Sequence, residues 1–153
     1  MAYQKGLKFE LFQFCETFAS NKIKTIQANL GNIQEALTTE TKSSAGDKHE
    51  TGRAMLQIER EKLGERLRVS EEMLSVLFTI NQSEKSTKIG LGSLVFTSNN
   101  NFYLAIPSGL YSNQVENVYC ISLLSPIGSL LFGKGKGDFF EFNGKRVDIL
   151  DVE

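Results

Sequence analysis

IKTIQANLGNIQEAL, residues 23–37, places its apolar side chains at Ile23, Ile26, Leu30, Ile33 and Leu37. Steps of three and four in alternation make the a/d seam of a helix that zips against another helix. Leu11, Phe14, Cys15 and Phe18 carry an apolar stripe toward the N-terminus, so a first helix from about Glu10 to Ser43 is expected. Its length would be on the order of 50 Å at about 1.5 Å per residue. After a polar break at residues 38–46 the spacing returns as Leu56, Leu63, Leu67, Leu74 and Leu77, with Arg60 and Ser70 as polar interruptions in the same phase. A short connection through Ser43, Ser44, Ala45 and Gly46 makes the two helices antiparallel neighbours, because a parallel arrangement needs a long crossover.

Beyond residue 82 the backbone grammar changes. Residues 1–82 contain no proline and five glycines, whereas both prolines and eight glycines follow residue 88. Short β-type segments are expected around Leu91–Phe96, at Phe102–Ile106, Val118–Leu124, Leu130–Phe132, Phe139–Phe142 and Val147–Val152. Asn143-Gly144 is a hairpin signal, since a type I′ turn needs positive φ at both central residues. The expected class is therefore α+β: a long antiparallel α-helical hairpin (1–82, tip near 43–50), a polar linker (83–88) and a small, mostly antiparallel β domain (89–153).

Composition narrows the function classes. In 153 residues, 41% apolar and 23% charged side chains are ordinary for a soluble globular chain. Seventeen Lys+Arg nearly cancel eighteen Asp+Glu, which argues against autonomous DNA binding through phosphate contacts and for a protein partner. No apolar run approaches the roughly 20 residues of a membrane span, and Met1 to Lys8 lacks a secretory apolar stretch, so a cytoplasmic monomer is expected. Cys15 and Cys120 have neither CxxC spacing nor a histidine cluster, His49 being the one histidine; free structural thiols are expected.

Ser125-Pro126-Ile127-Gly128-Ser129-Leu130-Leu131-Phe132-Gly133-Lys134, then Gly137-Asp138, resembles the C-terminal signature of the Gre family, the bacterial GreA/GreB transcript cleavage factors. Gly90-Leu91-Gly92-Ser93-Leu94-Val95 is similar to the step that opens the same domain. At the expected hairpin tip, Gly46-Asp47-Lys48-His49-Glu50-Thr51-Gly52 resembles the family's Gly-Asp-x-x-Glu-Asn-Ala segment.

The resemblance implies an FKBP-like β domain that clamps onto RNA polymerase, with Ser125, Pro126, Gly133, Lys134 and Asp138 as the partner-binding signature. It also implies a hairpin that enters the polymerase's secondary channel and acts on the nascent RNA 3′ end only indirectly. Asp47 and Glu50 would be the catalytic pair, helping the polymerase hold a second Mg²⁺ so that its own active site cuts backtracked RNA; the factor would not be an enzyme by itself. Two carboxylates three residues apart at a helix start can converge on one cation, and oxygen ligands suit Mg²⁺. The same spacing is a capping arrangement, and Asp and Glu there also favour the helix dipole. Capping and metal binding are compatible.

Thr51 and Gly52 replace the family's Asn and Ala, and no tip aromatic follows; Gly52 costs on the order of 1 kcal/mol in a helix relative to Ala. A non-cleaving regulator or inhibitor occupying the same channel is thus the alternative. The segment Pro107 to Asn117 lacks the family's acidic pattern and reads as an altered contact loop, while Lys42, Lys48, His49 and Arg53 form a basic cluster near the tip. Prolyl isomerase activity, the third class, would need a deep aromatic-lined pocket.

Overall fold

The computed structural model describes the backbone of residues 2–42 and 47–153 and the side chains of residues 6–39 and 50–153. Two long helices, α1 (Ala2–Lys42) and α2 (Asp47–Phe78), precede β1 (Leu94–Thr97), β2 (Asn101–Leu104), β3 (Gly109–Ser112), β4 (Asn117–Ile121), α3 (Pro126–Leu131), β5 (Phe139–Phe142) and β6 (Lys145–Val152). The class is α+β, a helical hairpin followed by a mostly antiparallel sheet. The helices run antiparallel: the ring of Phe12, early in α1, meets that of Phe78 at the end of α2, and Arg53, early in α2, donates to the Leu37 carbonyl late in α1.

The chain divides into two compact units. One is Ala19–Leu74; the other joins Met1–Phe18 to Ser75–Glu153. Within the first, Ile26, Ile33, Leu37 and Leu63 are buried together, flanked by Leu30, Leu56 and Leu67. These are the heptad positions of the sequence, and a two-helix seam seals only its a and d side chains. Ser70, a polar interruption at the seam, is buried but satisfied by donating its hydroxyl to the Arg66 carbonyl one turn back, while Arg60 is exposed.

In the second unit the strand order is β3-β4-β2-β1-β6-β5, antiparallel except for β2 against β4. That parallel pair requires a crossover, and the chain from Ala105 through β3 supplies it. Side chains alternate between the two faces. Val95, Phe102, Leu104, Phe140, Val147 and Ile149 form one core with Ile89 and with Leu131 of α3. Leu94, Tyr103, Val118 and Cys120 are buried on the opposite face, in register through Leu94↔Tyr103 and Tyr103↔Cys120.

The start of α1 reaches this second face. Cys15 Sγ lies 3.0 Å from Ser108 Oγ, the Phe14 and Tyr111 rings meet edge-on at 5.5 Å, and Tyr111 Oη donates to Glu10 at 2.6 Å. Leu11 and Cys15 are fully buried. The amphipathic stripe read from Leu11 to Phe18 is therefore real, and helix α1 begins well before Glu10, at Ala2.

Three local expectations are corrected. Leu130–Phe132 is not a strand: Leu130 and Leu131 close α3, because Ser125 caps that helix and Pro126 occupies its first position. The stretch 107–117 is not a loop throughout; it contains the edge strand β3, paired with β4 from Gly109↔Cys120 to Ser112↔Asn117. The strand expected at Val118–Leu124 ends at Ile121. The Asn143-Gly144 turn forms as read, with φ of 53° and 76° between Phe142 and Lys145.

A Cβ on Gly128 would lie 2.1 Å from the Ser122 carbonyl oxygen, whereas one on the exposed mid-helix Gly64 would meet nothing within 4 Å. Gly128→Ala should destabilise by about 1–3 kcal/mol through overpacking. Gly64→Ala should stabilise by up to about 1 kcal/mol through helix propensity. Urea unfolding followed by circular dichroism checks both signs.

Candidate functional site

Helix α2 opens at Asp47, so Glu50 stands three positions on, one turn along the same helix side. Glu50 is exposed. The Asp47 side chain, with those of Lys42, Lys48 and His49, lies outside the described residues, as does the connection Ser43–Gly46. Thr51 is exposed and Gly52 half-buried. Of the expected basic cluster, Arg53 has a structural use: its guanidinium donates to the Leu37 carbonyl at 3.3 Å, tying α2 to α1.

Of the two carboxylates the sequence singles out, the described one, Glu50, is open to solvent. Carboxylate oxygens at i and i+3 fit Mg²⁺, which takes one or two protein carboxylates and completes its shell elsewhere. Among the described residues no group of three or more His, Cys, Asp and Glu side chains is placed to hold a metal.

The signature segment is a joint built from hydrogen bonds. Ser125 Oγ accepts from Gly128 N at 3.0 Å and donates to the Ser122 carbonyl at 2.6 Å, which fixes both the helix start and the loop before it. Pro126 sits at the first helical position and is exposed. Gly133, at φ 80°, ends the helix and donates to the Ile89 carbonyl, while Lys134 O accepts from Ile89 N at 2.8 Å. The Lys134 ammonium turns back to the Leu130 carbonyl. Asp138 accepts from Gly135 N at 2.8 Å through its carboxylate, and its own carbonyl receives Ile149 N. All five residues thus have a role in shaping the fold, with Pro126, Gly133 and Asp138 exposed and Ser125 and Lys134 half-buried.

Sequence reasoning missed one cluster. The Cys15 thiol touches both Ser108 and Cys120, so residues from α1, β4 and the chain before β3 converge in the core. Hydrogen bonding to Cys15 and burial push the Cys120 thiol far above its usual range, and burial, then the neighbouring thiols, raise Tyr103 as well. The Cys120 thiol therefore stays protonated, whereas hydrogen bonding from Cys120 pulls the Cys15 thiol below the usual range, against the opposing effect of burial. The alternation of buried Val118 and Cys120 along β4 was the available signal, but nothing in the sequence links them to Cys15.

No protein-family profile matches the chain, and no curated protein matches it. Among solved structures, that of the transcription factor Gfh1 is similar at 20% sequence identity and a TM-score of 0.37, over 90% of this chain and 92% of that one. No helix among the described residues is long and apolar enough to cross a membrane.

Loss of the Ser125 cap should be felt in the fold whatever else the segment does. Ser125→Ala is expected to cost about 0.5–2 kcal/mol, read as a lower urea midpoint with an unchanged m-value.

Proposed function

We propose that the chain is a transcription factor that binds RNA polymerase, enters its secondary channel with the α1–α2 hairpin, and stimulates the polymerase's own cleavage of backtracked RNA. The observation that carries this reading is the coincidence of two separate signatures with the architecture they require. The Asp-x-x-Glu pair falls on the first turn of the second hairpin helix, and the Ser-Pro to Gly-Asp segment forms the hydrogen-bonded joint of the β domain.

In this mechanism Asp47 and Glu50 hold a Mg²⁺ jointly with the polymerase. The chemistry the ion supplies when bound is stabilisation of the attacking and leaving oxygens in an in-line phosphodiester displacement. The hairpin's own contribution is positional: the α1–α2 seam and the Arg53 bond to the Leu37 carbonyl support a fixed start of α2 from which the carboxylates would act. Holding ligands in place before the reaction removes their ordering cost from the barrier. The β domain, with Ser125, Pro126, Gly133, Lys134 and Asp138 at its joint, provides the outer grip on the polymerase.

Gly52 favours a second reading, in which the hairpin occupies the channel without promoting cleavage. It sits within the first turns of α2, where glycine loosens the helix by about 1 kcal/mol relative to Ala.

Adding the protein to backtracked elongation complexes with Mg²⁺ should release short 3′ RNA fragments faster than the polymerase does alone. Asp47→Asn is the informative variant, because it removes the negative charge while keeping the side chain's size and one acceptor oxygen. It should leave hairpin stability and polymerase binding intact while lowering cleavage by at least about tenfold, the usual scale for disturbing a metal site. Absence of stimulated cleavage by the wild type at saturating protein, with binding retained, would instead establish the channel-occupying reading.

A further inference from the structure

The two cysteines of the chain are both free and both buried, and the function proposed above uses neither. Cys15 comes from α1 and Cys120 from β4, elements far apart in sequence. The two thiols hydrogen-bond each other, and Cys15 Sγ also stands 3.0 Å from Ser108 Oγ. Both residues belong to the same compact unit, so the packing of that unit alone brings them together.

A pair of thiols in contact can bind a metal, act on a substrate, or bond to each other. Structural zinc takes four ligands, and among the described residues no group of three or more His, Cys, Asp and Glu side chains is placed to hold a metal. A thiol that acts on a substrate must be open to it, and at 0% and 2% exposure these two are sealed. A disulfide needs no further group. The sulfurs have only to close from a hydrogen-bonded contact to a bond of about 2 Å.

Ser108 helps to make the two thiols unequal. Its hydroxyl donates to the Ile106 carbonyl at 3.2 Å, and with the hydrogen so placed its oxygen accepts from the Cys15 thiol. When Cys15 loses its proton, that hydrogen can turn to the thiolate, because a hydroxyl rotates to suit its partner. Cys15 is accordingly drawn below the usual thiol range, first by the hydrogen bond from Cys120, while Cys120 is pushed far above it. The thiolate is the nucleophile, so Cys15 attacks first.

Cover over the pair is thinnest at the edge of the sheet. Gly109, opposite Cys120 in the β3–β4 ladder, is exposed and brings no side chain. A Cβ there would meet nothing within 4 Å. This open edge admits an oxidant as small as hydrogen peroxide.

We infer that Cys15 and Cys120 form a reversible disulfide, made when a hydroperoxide oxidises the pair, which fastens the start of α1 to the sheet. The Cys15 thiolate attacks one oxygen of hydrogen peroxide and breaks the O–O bond. Cys15 becomes a sulfenic acid, and the departing hydroxide takes up the proton that Cys15 had released. Cys120 Sγ then attacks Cys15 Sγ and breaks the S–O bond, and the second hydroxide leaves with the Cys120 proton. The two thiols have lost two electrons and two protons, and the peroxide has become two waters. A dithiol reverses the reaction by exchange through a mixed disulfide. The closed loop holds the rest of α1, all of α2 and β1 to β3, which restricts the unfolded chain. Neither Asp47 nor Glu50 takes part, so the pair stands or falls separately from the cleavage function.

Full-length protein, treated with hydrogen peroxide while folded and then denatured in N-ethylmaleimide, tests this by intact mass. Untreated protein should carry two maleimides. Treated protein should carry none and weigh two hydrogens less than the reduced chain, as a monomer, and dithiothreitol should restore both labelling sites. The urea midpoint should rise on oxidation and fall back on reduction. Cys120→Ser, with its fold checked by circular dichroism, should stop at a sulfenic acid on Cys15 that dimedone traps. Two maleimides retained by the treated wild type, added oxygens without the loss of hydrogen, or a disulfide-linked dimer would each overturn the inference. So would a dimedone adduct on Cys120 in folded Cys15→Ser protein at the same peroxide dose.

Discussion

A six-stranded sheet with two apolar faces has to be covered twice, and that requirement organises the β half of this protein. Helix α3 covers part of one face. The other is closed by the first turns of α1, where Leu11 and Cys15 are sealed and Cys15, Phe14 and Glu10 reach Ser108, Cys120 and Tyr111. Without that helix, Leu94, Tyr103, Val118 and Cys120 would present an apolar surface to water, at about 25 cal/mol per Å². One helix therefore serves two tasks in sequence along its length, first as a layer of the sheet's core and then as half of a leucine seam.

The leucine seam has a different logic. It buries few residues, in single file, and tolerates a serine at a core position because Ser70 finds its acceptor on its own helix. A structure of this kind keeps its shape by repetition rather than by depth. Such a seam leaves the outer side of each helix to water, and Glu50 stands in solvent on the first turn of α2.

Periodicity made the hairpin legible, since Ile26, Ile33, Leu37 and Leu63 are buried where a heptad places them. Turn chemistry likewise fixed Asn143-Gly144. Strand β3 was invisible because Gly109, Leu110 and Ser112 face solvent at an edge and carry no alternating pattern. Leu130–Phe132 misled for the opposite reason: three apolar residues in a row suit a strand or the end of a short buried helix, and only the Ser125 cap decides. The candidate site was legible only as residue types and spacing at Asp47 and Glu50. The Cys15–Ser108–Cys120 contact depends on which distant segments meet, and local pattern carries no information about that.

The division of the chain has a consequence for biosynthesis. Residues 1–18 belong to the same compact unit as residues 75–153, with the Ala19–Leu74 unit interposed in the sequence. On the ribosome, Leu11 and Cys15 emerge long before Tyr103 and Cys120 exist. At roughly 5–20 residues per second the wait is on the order of ten seconds. During that interval the intervening helices, whose contacts are closer in sequence, are able to pair first. The hairpin then becomes a splint that returns the chain to its own beginning, converting a contact between distant residues into a nearly local one and sparing the sheet much of the loop-closure entropy its topology would otherwise demand.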